Sequence, residues 1–388
     1  MTKVQRKMEK YDVLIVGAGP AGVCAAKTAA NGGAKTILLE KQPTIMASKA
    51  CGEATSQKTF ESAGVKIKPN IVMHKADAMV FSPNMKYIHI NKIGYSINKT
   101  LFLQDIASQA AEAGAHIKVR EEVKEVIRSS NKKMIVKTSQ SEYNVNVVIA
   151  ADGYNSTVAK NLDIREKSAS IPTVQYALVN CKLEYPDSVR FYLGNEIAPK
   201  GYAWIFPKGE KLTEVGIGVR GVPAKQYLDR FVKLFEKELG KGQIIDYRGG
   251  PVPIGGIIKE NILDGTMLIG DAAGMVIPLT GAGIHSSVAA GIIAGEVASS
   301  ASLEGDCSKS RLNEFNKRYN KDWGNRINKS LKVTRTIETL SDKELNLLQE
   351  ILNADDILDL ANGFEVRKVT KKLLSHPIFA VKLVKALL

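Results

Sequence analysis

The chain has 388 residues, 44% of them apolar and 24% charged, with a formal net charge of +14. That balance excludes a disordered chain, a collagen-like repeat and a small disulfide scaffold, and the length suits two or three domains at ~150 residues each. The positive excess points to anionic partners. Aromatic residues are only 6%, and no zinc-finger or RNP-like signature occurs, so a membrane surface or a phosphorylated ligand is expected rather than nucleic acid.

The opening MTKVQRKMEK lacks the apolar stretch of a signal peptide. Cys24, Cys51, Cys181 and Cys307 have no C-x-x-C spacing, so no zinc or iron–sulfur site, and no metal, is expected. Both features imply a cytoplasmic chain with free thiols. Tyr11–Val16 is a short apolar run followed by Gly17-Ala18-Gly19-Pro20-Ala21-Gly22 and an Ala-rich helix to about Ala30. Thr36–Glu40 is a second apolar strand that ends in an acid. This is β-α-β, the start of a doubly wound α/β sheet. The first glycine permits a tight turn, the second lets a pyrophosphate approach the backbone, and the third lets helix and strand pack closely. Pro20 suits the first helical position, where uncapped N–H groups and the helix dipole attract phosphate. Glu40 stands where a carboxylate accepts from both ribose hydroxyls of an adenosine.

Leu101–Ala113 reads as a helix, and Asn144–Ala150 as a strand that meets Asp152-Gly153. From Ile171 to Arg220 the pattern changes to period-2 alternation: Val174, Tyr176, Leu178; Val189, Phe191, Leu193; Val215, Ile217, Val219. Such alternation predicts half-buried antiparallel strands. Residues 224–240 look helical. Met267-Leu-Ile-Gly-Asp271 then returns to the style of the first domain, and a long small-residue helix comes after it. The apolar stretch Met267–Ala298 contains Asp271, His285 and Glu296, so it reads as buried protein rather than a membrane span. Beyond Arg311 the pattern is helical and charged. The expected division is a discontinuous nucleotide-binding domain over 10–160 and 255–300, a β-rich substrate domain over 161–254, and a helical region over 301–388.

Two segments far apart in the chain, the Gly17 fingerprint and Gly270-Asp271, both suit one extended dinucleotide, which favours FAD over NAD. Asp271 would serve the ribityl or pyrophosphate region. Gly281-Ala-Gly283-Ile284 opens the next helix, whose N–H groups would face the flavin and stabilise its anionic reduced form. With one strand–turn–helix fingerprint and no second βαβ unit between 150 and 270, no dedicated NAD(P)H domain is expected. Electrons then come from a transient donor such as a ferredoxin, or from NAD(P)H held loosely.

The fingerprint, Asp152-Gly153-x-x-Ser156 and Gly270-Asp271 together resemble the FAD-dependent group that includes p-hydroxybenzoate hydroxylase. Three more segments resemble the geranylgeranyl reductases: Lys49-Ala50-Cys51-Gly52, Gly201-Tyr202-Ala203-Trp204-Ile205-Phe206-Pro207-Lys208-Gly209, and Gly249-Gly250-Pro251-Val252-Pro253. The likeness spans residues 10–340. It implies a GR2-type, Rossmann-like FAD domain with an antiparallel substrate sheet and C-terminal helices. It places FAD contacts at Ala21, Glu40, Cys51, Gly52, Ala54, Val123, Asp271, Gly283 and Ile284. Lys99 stands where the family has an arginine, and as a point charge it can still donate to a phosphate.

Read from the sequence alone, Cys51 suits packing beside Gly52. The resemblance puts its loop at the flavin ring, where a thiol could donate a proton. Tyr202, Trp204 and Phe206 alternate, so they share one strand face, either an ordinary aromatic sheet face or the wall of an apolar tunnel. The resemblance implies the tunnel, with Pro253 beside it, and a reaction in which reduced FAD saturates the C=C bonds of geranylgeranyl chains on an archaeal-type ether phospholipid. Two rivals stay open on sequence: a flavin monooxygenase of the aromatic hydroxylase type, and a non-redox flavoprotein isomerase or prenyl-lipid binder. His285 reads as a core residue, and the other histidines as surface ones.

Residues 364–388 carry Val366, Val369, Leu373 and Leu374 on one helical arc and Arg367, Lys368, Lys371 and Lys372 on the opposite one. After Pro377 a second stretch, Phe379 to Leu388, repeats the pattern with Lys382 and Lys385. Either this tail docks peripherally on the inner face of the cell membrane, or it is a terminal helix packed on the body.

Overall fold

The structure, a computed structural model, describes residues 8–129, 133–377 and 379. The apolar run Glu9–Val16 is a strand between two parallel partners, Thr36–Leu39 and Glu142–Ala150. His116–Lys118 continues the sheet beyond Thr36–Leu39, and Thr266–Leu268 lies parallel on the far side of Glu142–Ala150. The hairpin Val123–Arg128/Met134–Thr138 adds antiparallel strands at the other end of Glu142–Ala150. Register brings the motif residues together. Val16 pairs with both Leu39 and Ala150, and Leu268 pairs with Ala150. Gly17, Glu40, Asp152 and Asp271 therefore leave the carboxyl edge of one sheet side by side. Ligands of open α/β sheets bind at that edge.

The fingerprint helix Pro20–Asn31 packs on the long helix Ile284–Glu304 through small residues. A Cβ on Gly291 would lie 2.2 Å from the Ala21 carbonyl oxygen, and one on Gly295 2.7 Å from that of Ala25. Ile284–Glu304 is long and apolar enough to cross a membrane, yet two thirds of its apolar window (67%) is buried inside the protein, as the sequence pattern predicts.

The second sheet runs, in spatial order, Gln243–Pro253, Ser170–Val179, Leu212–Gly218, Tyr202–Pro207, Ser188–Tyr192, Val72–Phe81, Tyr87–Ile97 and Ala54–Thr55. All pairs are antiparallel except Ser188–Tyr192 with Val72–Phe81. The alternating stretch 171–220 supplies its centre, as expected. Residues 54–97, expected in the nucleotide-binding half, instead hydrogen-bond into this sheet. Their strands carry little clean alternation, because the pairing shifts register between Val72 and His74 and again between Ala76 and Ala78. A bulge moves side chains to the opposite face and breaks the period-2 signal.

The chain ends in helices Asn325–Ile337, Asp342–Ile351, Ala354–Asn362 and Val366–Leu374. Leu340, Leu345, Leu348, Leu360, Val369, Leu373 and Phe379 form their own small core. Val369 and Leu373 are thus spent on packing, and Lys372 pairs with Asp356 at 2.5 Å. The first half of the expected amphipathic tail is docked on the body. The second half, apart from Phe379, lies outside the described residues.

Candidate active site

Two cavities adjoin. The first, about 370 Å³, lies at the carboxyl edge of the parallel sheet and is lined by Gly17, Gly19, Pro20, Ala21, Glu40, Cys51, Lys99, Val123, Asp271, Gly283 and Ile284. Gly17 takes φ +93°, and a Cβ there would lie 2.6 Å from the Ala151 carbonyl oxygen. A Cβ on Gly22 would lie 1.8 Å from the Gly17 oxygen, so this glycine serves strand–helix packing and does not line the cavity. At Gly19 the space is open. Helix Pro20–Asn31 begins without a side-chain cap, so its first N–H groups are left for a ligand. Glu40 is fixed by two backbone donors, Ala18 N–H to Oε2 at 2.8 Å and Gln42 N–H to Oε1 at 2.9 Å. Each carboxylate oxygen keeps a lone pair for a ribose hydroxyl. Asp152 caps helix Thr157–Asn161 through Oδ2 (2.7 Å to the Thr157 nitrogen), while its buried Oδ1 has no partner among the described residues. An open glycine cradle, an uncapped helix start, a pinned carboxylate and an orphaned oxygen fit an FAD nucleotide.

Sequence reasoning missed one charge at this cavity. Lys49 Nζ pairs with Asp271 Oδ2 at 2.6 Å, and its stem packs against Gly250, where a Cβ would come within 3.4 Å. Lys49 had a visible signal: it opens the Lys-Ala-Cys-Gly segment.

The second cavity, about 350 Å³, lies over the aromatic strand. Tyr202, Trp204 and Phe206 all line it, and their rings contact one another and Phe191. Across the ladder they face Gly218, Gly216 and Glu214. A Cβ on Gly216 would lie 2.1 Å from the Trp204 ring, and one on Gly52 2.3 Å from the Phe206 ring. The aromatic wall therefore exists because glycine stands opposite it. Gly216-Ile-Gly218-Val-Arg-Gly221 repeats the spacing of the fingerprint, but its first two glycines lie in an antiparallel strand and Gly216 makes room for the Trp204 ring. Spacing without strand–turn–helix context carries no dinucleotide meaning here.

Three expected contacts fall elsewhere. Gly52 and Ala54 line the second cavity rather than the first. Pro253 lines neither; Val252 and Ile254 do, because neighbours on a strand point to opposite faces.

Cys51 and Ala50 line both cavities, as do Val252, Gly281, Gly283 and Ile284. Gln175 Oε1 accepts from the Cys51 backbone at 3.0 Å, and the Glu53 N–H donates to Cys51 Sγ at 3.4 Å. Glu53 is held at φ +53°, a strained backbone position beside the thiol. Behind it sits a buried charge cluster. Lys208 Nζ donates to Glu53 Oε2 at 2.7 Å and to the Ile97 carbonyl at 2.6 Å, and it lies 3.6 Å from Glu214. The Lys99 backbone also donates to Glu53 Oε2, at 3.2 Å.

Lys99 itself is only 7% exposed. Burial pulls its ammonium down, but Cys51 and Glu53 beside it more than offset this, and it is held above its ordinary value. Its charge thus faces the thiol as well as the nucleotide cavity. Burial pushes Glu214 up to about 7, and its Oε2 has no partner among the described residues. Lys208 continues the alternation Tyr202, Trp204, Phe206, so the pattern that exposed the wall pointed to it as well. His285 packs edge-on against Trp323 at 4.9 Å, its Nε2 lies 3.2 Å from Ser62 Oγ, and burial and then Arg326 pull it down toward the neutral form. Among the described residues no cluster of metal-binding side chains occurs.

Comparison with known proteins agrees with this layout. An FAD binding domain family matches residues 10–200, and the geranylgeranyl reductase catalytic domain family matches residues 170–252. The digeranylgeranylglycerophospholipid reductase of Methanocaldococcus jannaschii is 34% identical over 97% of this chain and 98% of its own length. Digeranylgeranylglycerophospholipid reductase 2 of Methanopyrus kandleri is 33% identical over 98% and 100%. A geranylgeranyl bacteriochlorophyll reductase-like protein of Thermoplasma acidophilum superposes with TM-score 0.87 at 29% identity, over 98% of this chain and all (100%) of that one. A flavin-dependent brominase, 16% identical over 91% of this chain and 94% of its own, shares the fold with TM-score 0.72.

Proposed function

We propose, from the premise that this chain belongs to the digeranylgeranylglycerophospholipid reductase family, that it uses FAD to saturate the C=C bonds of geranylgeranyl chains on an archaeal ether phospholipid. The observation that carries this is the junction itself: a nucleotide cavity opens through Cys51 and Gly283 into an apolar, aromatic-walled one. An isolated alkene is a poor hydride acceptor, so a proton must reach one carbon as a hydride equivalent reaches the other. Reduced FAD, when bound, supplies the hydride equivalent. The chain supplies the rest. Tyr202, Trp204 and Phe206 keep water from the double bond and hold the chain in place. Cys51 holds a proton at Sγ where the cavities meet, and Lys99 stabilises the thiolate left once that proton is given up. An aromatic hydroxylase would instead need a polar substrate pocket. The test is anaerobic turnover with dithionite-reduced enzyme and mass spectrometry of the lipid. A gain of two hydrogen atoms per bond supports the reading; a gain of oxygen, or no change in mass, overturns it.

Two finer readings belong with this one. Electrons arrive from a ferredoxin-like donor or from loosely held NAD(P)H, since the one fingerprint in strand–turn–helix context is taken up by FAD. Tight stoichiometric NADPH binding without lipid would refute that. The chain also meets the bilayer peripherally, its basic C-terminal helix Val366–Leu374 facing an anionic surface with Lys368 and Lys371 at ~1 kcal/mol each. Binding to anionic liposomes that is indifferent to salt would refute that.

A further inference from the structure

Outside the reaction centre, the apolar cavity holds one buried cation with no close counter-ion among the described residues; the other cation that lines it, Lys200, is exposed. The acids that line it are Glu53 and Glu338, and both are paired, Glu53 with Lys208 and Glu338 with Arg220 at 3.1 Å. Arg326 also lines it and is 9% exposed. Its guanidinium lies 3.9 Å from the centre of the Trp323 ring and 4.3 Å from that of Phe364. Nε donates to the Asn362 carbonyl at 2.9 Å. The nearest carboxylate, Asp322, is 3.9 Å from Nη1 and is itself 64% exposed to solvent. Among the described residues the two terminal nitrogens donate no hydrogen bond. A buried guanidinium without a close counter-ion is costly, and its planar pair of donors matches a carboxylate or phosphate edge.

Local structure aims this group rather than leaving it there by accident. Asn320–Gly324 is a π-helical turn, a feature frequent at functional sites. It sets Trp323 and Arg326 on the cavity side. Trp323 touches His285, which directly follows the Ile284 shared by both cavities. On the other side Phe364 is 45% exposed, so Arg326 stands between the cavity interior and solvent.

We propose that Arg326 anchors the phosphate of the ether-lipid head group at the mouth of the apolar cavity, with the isoprenoid chain running inward to Cys51. This rests on the lipid-reductase reading given under Proposed function. An anchor of this kind sets which double bonds reach the thiol.

The test is equilibrium binding by the intact FAD-loaded chain in neutral-detergent micelles. Three probes are used: digeranylgeranylglyceryl phosphate, the uncharged digeranylgeranylglycerol, and inorganic phosphate. The wild type should prefer the phosphate lipid over the uncharged diether by about 10- to 100-fold, the worth of one charge-assisted pair. Arg326→Gln should bring that preference close to unity, Arg326→Lys should keep part of it, and Lys200→Gln, at an exposed lysine of the same cavity, should keep all of it. The proposal fails if Arg326→Gln retains the wild-type preference, if Lys200→Gln abolishes it, or if the wild type shows none. It also fails if inorganic phosphate binds as tightly as the phosphate lipid, since the site then serves the free anion. FAD absorbance and Tm report whether Arg326→Gln folds. If it does not, Arg326→Lys and the three-probe comparison on the wild type decide. A chain that shows the Arg326-dependent preference but reduces neither lipid sinks the reductase reading and leaves the anion site standing.

Discussion

The two cavities are built in opposite ways. The nucleotide cavity is made largely of backbone: glycines that bring the chain close, a helix start without a cap, and a carboxylate pinned by main-chain donors. The apolar cavity is made of side chains: an aromatic face on one strand, accommodated by glycines on its neighbour, and closed by C-terminal helices that come from far along the sequence. A backbone site tolerates side-chain change except where a Cβ would intrude. A side-chain site tolerates backbone variation and fails when one ring moves. Cys51 belongs to both, which makes it the most informative residue to alter.

The largest effect is expected there. Cys51→Ser should keep FAD and the fold but lower the reduction rate by about 10²–10⁴, the usual worth of a positioned acid. Rapid-mixing kinetics under anaerobic conditions measure this. A wild-type rate would make Cys51 a packing residue, one of several that line both cavities.

Next comes a change confined to the nucleotide side. Glu40→Ala removes an acceptor that holds the Ala18 and Gln42 N–H groups and faces the cavity. At about 1.5–3 kcal/mol per charge-assisted bond, FAD affinity should fall by roughly 10- to 100-fold while lipid binding stays. Flavin fluorescence on dialysis reads the first quantity. Loss of lipid binding in step with flavin would show that the two cavities are not separable.

The converse change is Gly216→Ala. Its methyl would lie 2.1 Å from the Trp204 ring, so the indole must shift. Overpacking should cost about 1–3 kcal/mol of stability. It should raise KM for the lipid and leave FAD content unchanged. Equal damage to both functions would argue that the aromatic wall is a folding element only.

The smallest expected effect is a pH slope. Burial holds the Glu214 carboxyl up at about 7, above its ordinary value of ~4.3. Between those values the folded chain binds more protons than the unfolded one. The stabilisation is therefore full at low pH and is lost as pH rises toward 7. Glu214→Gln removes the titrating group, so Tm should fall less between about pH 5 and about pH 8 than it does in the wild type. Thermal melts across that range decide it, and an unchanged slope would place the titration elsewhere in the buried cluster.

What the sequence determined by itself is local and periodic. The order strand, glycine turn, helix, strand ending in Glu40 needs no partner to be recognised, because each glycine answers a steric demand within a few residues of itself. The aromatic face was equally legible, since a strand reverses its side chains at every step and Tyr202, Trp204 and Phe206 fall in phase. Tertiary structure alone decided that 54–97 join the second sheet, because bulges erase the alternation that would have announced them. It decided the Lys49–Asp271 pair and the Glu53–Lys208–Glu214 cluster, whose members are separated by between 6 and 222 residues, so that no spacing rule connects them. It decided that Val252, rather than Pro253, faces the site, since a strand's two faces are told apart only by what packs on each. And it decided Arg326: a charged residue in a charged helical stretch looks solvated in sequence, and only folding surrounds it with rings and leaves its two terminal nitrogens without a hydrogen bond among the described residues.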